Sequence, residues 1–416
     1  MATPGFADLE SLPRPQLLAI AHEYMLSGML GSPGGSPTLA AAAVPPETST
    51  AITIEEWMGS SPVYTHRMRR LMGIDGHDVP AIMKALQLDM GFVHQFMDVA
   101  YRVDPKNPNR GEFWLRHCGA LLMVEPAGKA AVFTMCHTIE DPTFDATALA
   151  TNPRARIRPI HRPPRVPPDR HPHCHWTIEI SDAHDPVPAF PLAEQISRLP
   201  LAHLPNAVGG EEAPELYADY AGPFRPEFKL NQLTDGALAA VTREFQVQSH
   251  LKAAANEVSI AKHLEPARGR AAMEEGWLTP AWVVGERVAR ALGLGPAPEA
   301  VATLLAFTPV LPPGFDRRVE VDGDRVSVTF TPVLEGLLDP DHPGLVGALA
   351  RGASGGLVGT LGALGFQPVD LSLDVDAAGV RADMRLEEAP PQSVPPSVAL
   401  SHLGPMANWS FDLSVA

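Results

Sequence analysis

Apolar residues recur at helical spacing in several long stretches of the chain and alternate with polar ones in others. Between positions 12 and 30 a proline-led segment places Leu17, Ile20, Ala21 and Tyr24 on one face, the mark of an amphipathic helix. Residues 54–72 read as one or two short helices and 79–99 as another. On that last helix His94 and Asp98, four apart, would share a face, as a surface pair or as a carboxylate orienting an imidazole. The period then changes to two. Residues 100–103 and 112–118 alternate on either side of the turn-rich DPKNPNRG and predict a hairpin. Residues 128–135 predict the start of a helix carrying Cys136, continued or bent at Pro142. Residues 156–160 and 175–180 read as strands flanking the proline-rich RPPRVPPDRHPH. Strand, strand, helix, strand, strand is an α+β unit with an antiparallel sheet.

The same order returns later. Residues 230–263 carry the clearest apolar stripe, through Leu230, Leu233, Leu238, Val241, Phe245 and Leu251, and 278–292 predict another helix. Hairpins follow at 317–331, across Asp322-Gly323-Asp324, and at 369–386, with an Ala/Gly-rich helix at 345–364 between them. Residues 408–415 alternate and predict an edge strand. The expected fold is therefore α+β in two divergent, pseudo-twofold copies. Residues 1–181 form the first copy, 182–229 a proline-rich linker with a short helix near 192–199, and 230–416 the second. Two unrelated α+β domains would give the same pattern.

Composition narrows the function. The 416-residue chain is 45% hydrophobic with a net charge of −16, which excludes nucleic acid and an anionic membrane as bulk partners. No apolar run is long enough to span a bilayer, and the N-terminus lacks a basic and apolar leader pattern. The expectation is a cytoplasmic protein with reduced cysteines.

The chemistry concentrates between positions 114 and 178. All three cysteines lie there, and each has a histidine beside it: His117-Cys118, Cys136-His137 and His173-Cys174-His175. Thiolate and imidazole together suit a transition metal, zinc or iron. No CxxC pair is present, so the ligands would have to converge through the fold rather than through one loop. The expected ligands are Cys118, Cys136, His161 and Cys174. Buried apolar cysteines beside a histidine-bearing loop are the plainer alternative. Glu140, Asp141 and His137 are candidates for general acid–base work. Arg158, Arg162, His171 and His173 would hold a small anionic substrate.

A cysteine closing a strand, a cysteine opening a helix and an HPHC element opening the last strand resemble the vinyl-reductase-type small-molecule-binding domain and, more loosely, the aminothiazoline-carboxylate hydrolase family. The resemblance covers roughly residues 98–180. It implies a structural metal held partly by Cys136 and Cys174. The acidic and cysteine ligands that such sensors place between those two are absent, and His161 with many prolines stands there instead. The leading expectation is a metal-dependent, hydrolase-like enzyme acting on a small anionic molecule, with a homodimer as its assembly. A non-catalytic binding module with a structural metal and a thiol redox protein are the alternatives.

Overall fold

The structure is a computed structural model that describes residues 3–30, 39, 43–210, 213, 215–390 and 394–403. The predicted strand at 408–415 lies outside these residues, as does most of the loop before position 43.

The helical layer comes first. Helix α1 (Arg14–Leu30) buries Leu17, Ile20, Ala21 and Tyr24, the face its spacing predicts. Helix α2 (Pro46–Leu71) is one element where one or two short helices were expected. Pro46 suits the first turn, and Pro62 withdraws one helical donor without ending the helix. Helix α3 (Val79–Leu86) is capped by Asp78, whose Oδ1 accepts the Ala81 N–H at 3.0 Å.

The expected helix at 79–99 is corrected here: it stops at Leu86. Asp89 Oδ1 accepts the Gly91 N–H at 2.6 Å, a local turn that competes with helix. His94 therefore shares no helix face with Asp98. Its Nε2 donates to Gln87 O at 2.8 Å, while Asp98 pairs with Arg116.

Strands β1 (Met97–Asp104), β2 (Asn107–Cys118), β3 (Ala155–His161) and β4 (Cys174–Ile180) make one antiparallel sheet in the order β1-β2-β4-β3. Between β2 and β3 run α4 (Gly119–Val124), α5 (Lys129–Phe133), a π-helical turn (Thr134–Ile139) and α6 (Glu140–Leu149). Phe113 and Trp176 stack from adjacent strands at 6.3 Å, and Phe144 of α6 meets Trp176 edge-on at 4.8 Å.

Residues 182–229 do more than link. They include α7 (Pro191–Ser197), packed on α2, and bury Leu201, Leu204, Tyr220 and Phe228. Helix α8 (Asp235–His263) is buried along most of its length between α1 and α2. Helix α9 (Pro266–Leu292) begins twelve residues before the predicted 278, because Pro280 sits inside it rather than at its start. After α10 (Pro298–Phe307), strands β5 (Phe315–Asp322), β6 (Arg325–Pro332), β7 (Phe366–Asp376) and β8 (Gly379–Glu388) form a second antiparallel sheet. Its order is β5-β6-β8-β7, the same as the first. The predicted helix at 345–364 is two short ones, α11 (Leu345–Ala350) and α12 (Gly355–Gly362). Helix α13 (Pro396–Leu403) packs on α9. The fold class is α+β with two four-stranded antiparallel sheets, and no described helix is long and apolar enough to cross a membrane.

Candidate functional site

Three elements of the first sheet bring the cysteines to one buried region. Cys118 is the last residue of β2 and the N-cap of α4, and its Sγ accepts the Leu121 N–H at 3.4 Å. Cys174 opens β4 opposite Leu115, on the same inner face as Trp176. Cys136 lies in the π-helical turn, a geometry that adds a residue to the turn and re-aims side chains. Phe144 of α6 rests on Trp176, and Glu140, one turn before it, acts electrostatically on all three thiols, as Cys118 and Cys174 do on Cys136. The cysteines are 5%, 3% and 6% exposed for Cys118, Cys136 and Cys174, too little for bulk water to reach the sulfurs.

The electrostatics agree with this placement. Burial raises the Cys118 thiol to about 12, and the nearby Glu140 carboxylate adds to the rise against the α4 amides. Burial, then Glu140, then Cys118 and Cys174 push Cys136 far up, with Arg162 opposing. Cys174 is likewise pushed well above the thiol range by burial, Glu140 and Cys118. Glu140 is half-buried, and the loss of hydration around its carboxyl raises it to about 8, with Arg162 opposing. Three thiols and a carboxyl thus feel one another inside a poorly solvated region, each held in its neutral form. Among the described residues no three His, Cys, Asp or Glu side chains stand close enough to hold an ion as they are placed. Ligation would require side-chain rotation.

The remaining candidates fall elsewhere. His161 pairs with His175 beyond a bulge in β3. Their rings are 6.1 Å apart, and His175 reaches Glu112 at 3.0 Å. Cys174 and His175 are consecutive in a strand and face opposite sides, so His161 stands across the sheet from the thiols. Glu140 is the donor beside them. His137 is engaged by Pro163 O at 2.7 Å and stacks on Phe133. Asp141 is paired with Arg162, whose guanidinium lies 5.7 Å from the Trp176 ring centre. Arg158 pairs with Asp145 at 2.9 Å on the outer side. His171 is exposed, 5.1 Å from the His173 ring. His173 is buried, and burial with Arg165 and its neighbouring histidines lowers it to about 4. Its Nδ1 accepts the Cys118 N–H at 3.1 Å, which leaves the proton on Nε2 and makes it a positioning residue.

One contact escaped sequence reasoning: Arg165 pairs with Glu125 at 2.9 Å across forty residues, with no local signal to reveal it. Glu140 follows Cys136 by four residues, but the π-helical turn between them sets their relative placement, and no local sequence signal reveals it. A small cavity by His250 and Trp277 and a groove of about 450 Å³ on the second sheet both lie away from the cysteines. No family model, no curated protein and no solved structure matches the chain.

Proposed function

We propose that the first sheet module holds a soft transition metal, zinc or iron, with Cys118, Cys136 and Cys174 as thiolate donors and Glu140 as the fourth. The chain is then a metal-holding binding module rather than a hydrolase. The observation that carries this reading is the burial of three thiols on three elements, close enough to raise one another's pKa, with the half-buried Glu140 beside them. Neutral thiols pack much as small apolar groups do, but here the four groups oppose one another's ionisation. A divalent cation converts that repulsion into attraction and deprotonates the thiols. Four protein donors in a closed shell correspond to a structural metal site. His137, Asp141, Arg158 and Arg162, four of the candidates for catalysis and substrate, are each engaged by protein partners, and the binding-module reading needs none of them. The resemblance to vinyl-reductase-type domains fits the same reading through Cys136 and Cys174.

Reduced protein titrated with cadmium, a spectroscopic stand-in for zinc, tests it. The expected result is a thiolate-to-metal absorption band saturating near one ion per chain, lost in Cys136→Ser and Cys174→Ser. No band in the wild type, or an equal band in the variants, overturns it.

A further inference from the structure

We infer that residues 162–173 form a strap that gates access to the thiol cluster, held shut by two ion pairs and one hydrogen bond. The inference deepens the metal-site reading and rests on it only for what passes the gate.

The strap touches every cysteine-bearing element. It leaves β3 at Arg162, which pairs with Asp141 on α6. Pro163 O then meets His137 Nε2, next to Cys136, at 2.7 Å. Arg165 reaches Glu125, at the end of the α4 helix that Cys118 caps, with three contacts between 2.9 and 3.0 Å. The return is fixed by backbone: the His173 N–H donates to Leu115 O at 2.7 Å, and His173 Nδ1 accepts from Cys118. Between these anchors residues 166–171 are all exposed, with Val166 at 76%, so the middle of the strap has no core of its own.

The latches differ in kind from the walls. The sheet and helices around the thiols are closed by buried aromatic packing. The strap is closed by polar contacts whose carboxylates are partly open to water, Glu125 at 31% and Asp141 at 47%. Contacts of that kind break at low cost, so the strap is the segment that opens first. The thiols themselves are too enclosed to meet an ion or a reagent without such an opening.

The experiment is the rate at which a maleimide labels the thiols of the reduced, metal-free protein. Arg165→Glu and Glu125→Arg each place like charges at the latch, and each should speed labelling on the order of five- to tenfold. The combined swap should return it to near the wild-type rate, and high salt should speed the wild type. Labelling should depend weakly on low denaturant, as local opening does and global unfolding does not. Equal rates in all four proteins, a swap that fails to restore slow labelling, or a denaturant dependence as steep as that of unfolding would overturn the strap.

Cadmium loading separates this from the metal reading. Latch variants should load faster to the same final extent. Faster labelling without cadmium binding keeps the strap and removes the metal. Cadmium binding with labelling and loading rates unchanged by the latch keeps the metal and removes the strap.

Discussion

Glu56 of α2 and Lys252 of α8 form an ion pair at 3.3 Å in the helical core, with 0% and 3% of their side chains exposed. The pair joins helices from the two halves of the chain, so it tests how strongly the halves depend on each other. Glu56 also accepts from the Asn256 side chain, and Lys252 donates to Gly28 O at 3.2 Å and lies 3.9 Å from the Trp57 ring centre. Burial lowers the Lys252 pKa while Glu56 opposes the fall, the sign of a charge kept by its partner. Glu56→Gln leaves the ammonium with a carbonyl and an indole face in a dry region. A buried charge stripped of its partner costs about 3–5 kcal/mol. Lys252→Met removes the cation paired with the Glu56 carboxylate, which keeps the Asn256 side chain, and should also destabilise, by about 2–4 kcal/mol. The double variant removes both desolvation penalties, and its loss should be under about 2 kcal/mol. The coupling from the cycle is then on the order of 3 kcal/mol or more, far above the roughly 0.5 kcal/mol scatter of independent sites. Urea unfolding of the four proteins, followed by circular dichroism with slopes compared, measures it. Additive losses would refute the reasoning and mean that the two charges are solvated or held by other groups.

Three further outcomes follow from other parts of the structure. Asp89 is raised to about 6 by burial, against the Gly91 amide, the Tyr64 hydroxyl and Lys252. The folded state therefore holds a proton there that the unfolded state releases, and stability from this group falls as pH rises from about 4 to 6. Asp89→Asn should be more stable than wild type at pH 8, by about 1–3 kcal/mol from the size of the shift, with the gap closing toward pH 4; a constant gap in thermal midpoints across pH would count against it. Gly359→Ala should cost about 1–3 kcal/mol, since its Cβ would meet Leu278 O at 2.3 Å, whereas Gly295→Ala, with open space around it, should cost far less. Equal unfolding midpoints for the two variants would contradict the close approach of α12 and α9. Metal binding by the three thiols and Glu140 should release about four protons per ion near neutral pH, read with a pH indicator in weak buffer; no release would contradict thiolate ligation.

The strands were legible because alternation survives in short segments: the three predicted hairpins and the strands at 156–160 and 175–180 stand within a few residues of where the pattern put them. The cysteine-bearing helix was legible up to its bend, but the π-helical turn that aims Cys136 has no sequence mark. Two helices run longer than the pattern predicted, each through an internal proline. Pro62 and Pro280 both sit inside helices; packing against α8 and α12 holds those helices together across the missing donors. Residues 79–99 failed for the opposite reason: apolar spacing continues, but Asp89 and Gly91 take the backbone into a turn. Of the site, the three cysteines were legible, while the choice of Glu140 over His161 depends on a bulge and on which sheet face each residue takes. Neither is encoded locally.

The two sheets share a strand order, and their central strands can be compared pair by pair. Leu115 faces Cys174 at the end of the β2–β4 ladder, and Phe330 faces Val380 at the end of the β6–β8 ladder. Three residues beyond Leu115 stands Cys118, and three beyond Phe330 stands Val333. The second sheet thus has valines where the first has thiols. The helices between the hairpins differ to match. In the second half Gly359 and Gly362 bring the α12 backbone against α9, where an added Cβ would lie 2.3 Å from Leu278 O and 2.2 Å from the Trp282 ring. Close backbone approach fills that space and leaves no room for side chains. In the first half the segment between the hairpins carries the π-helical turn; its Glu140 acts electrostatically on all three thiols, and those of Cys118 and Cys174 act on Cys136. One strand order is therefore closed in two chemically different ways, once with glycine and valine and once with thiols beside a carboxyl. Thiols offer no gain over valine as packing, and that difference is the reason for proposing the metal site in the first half.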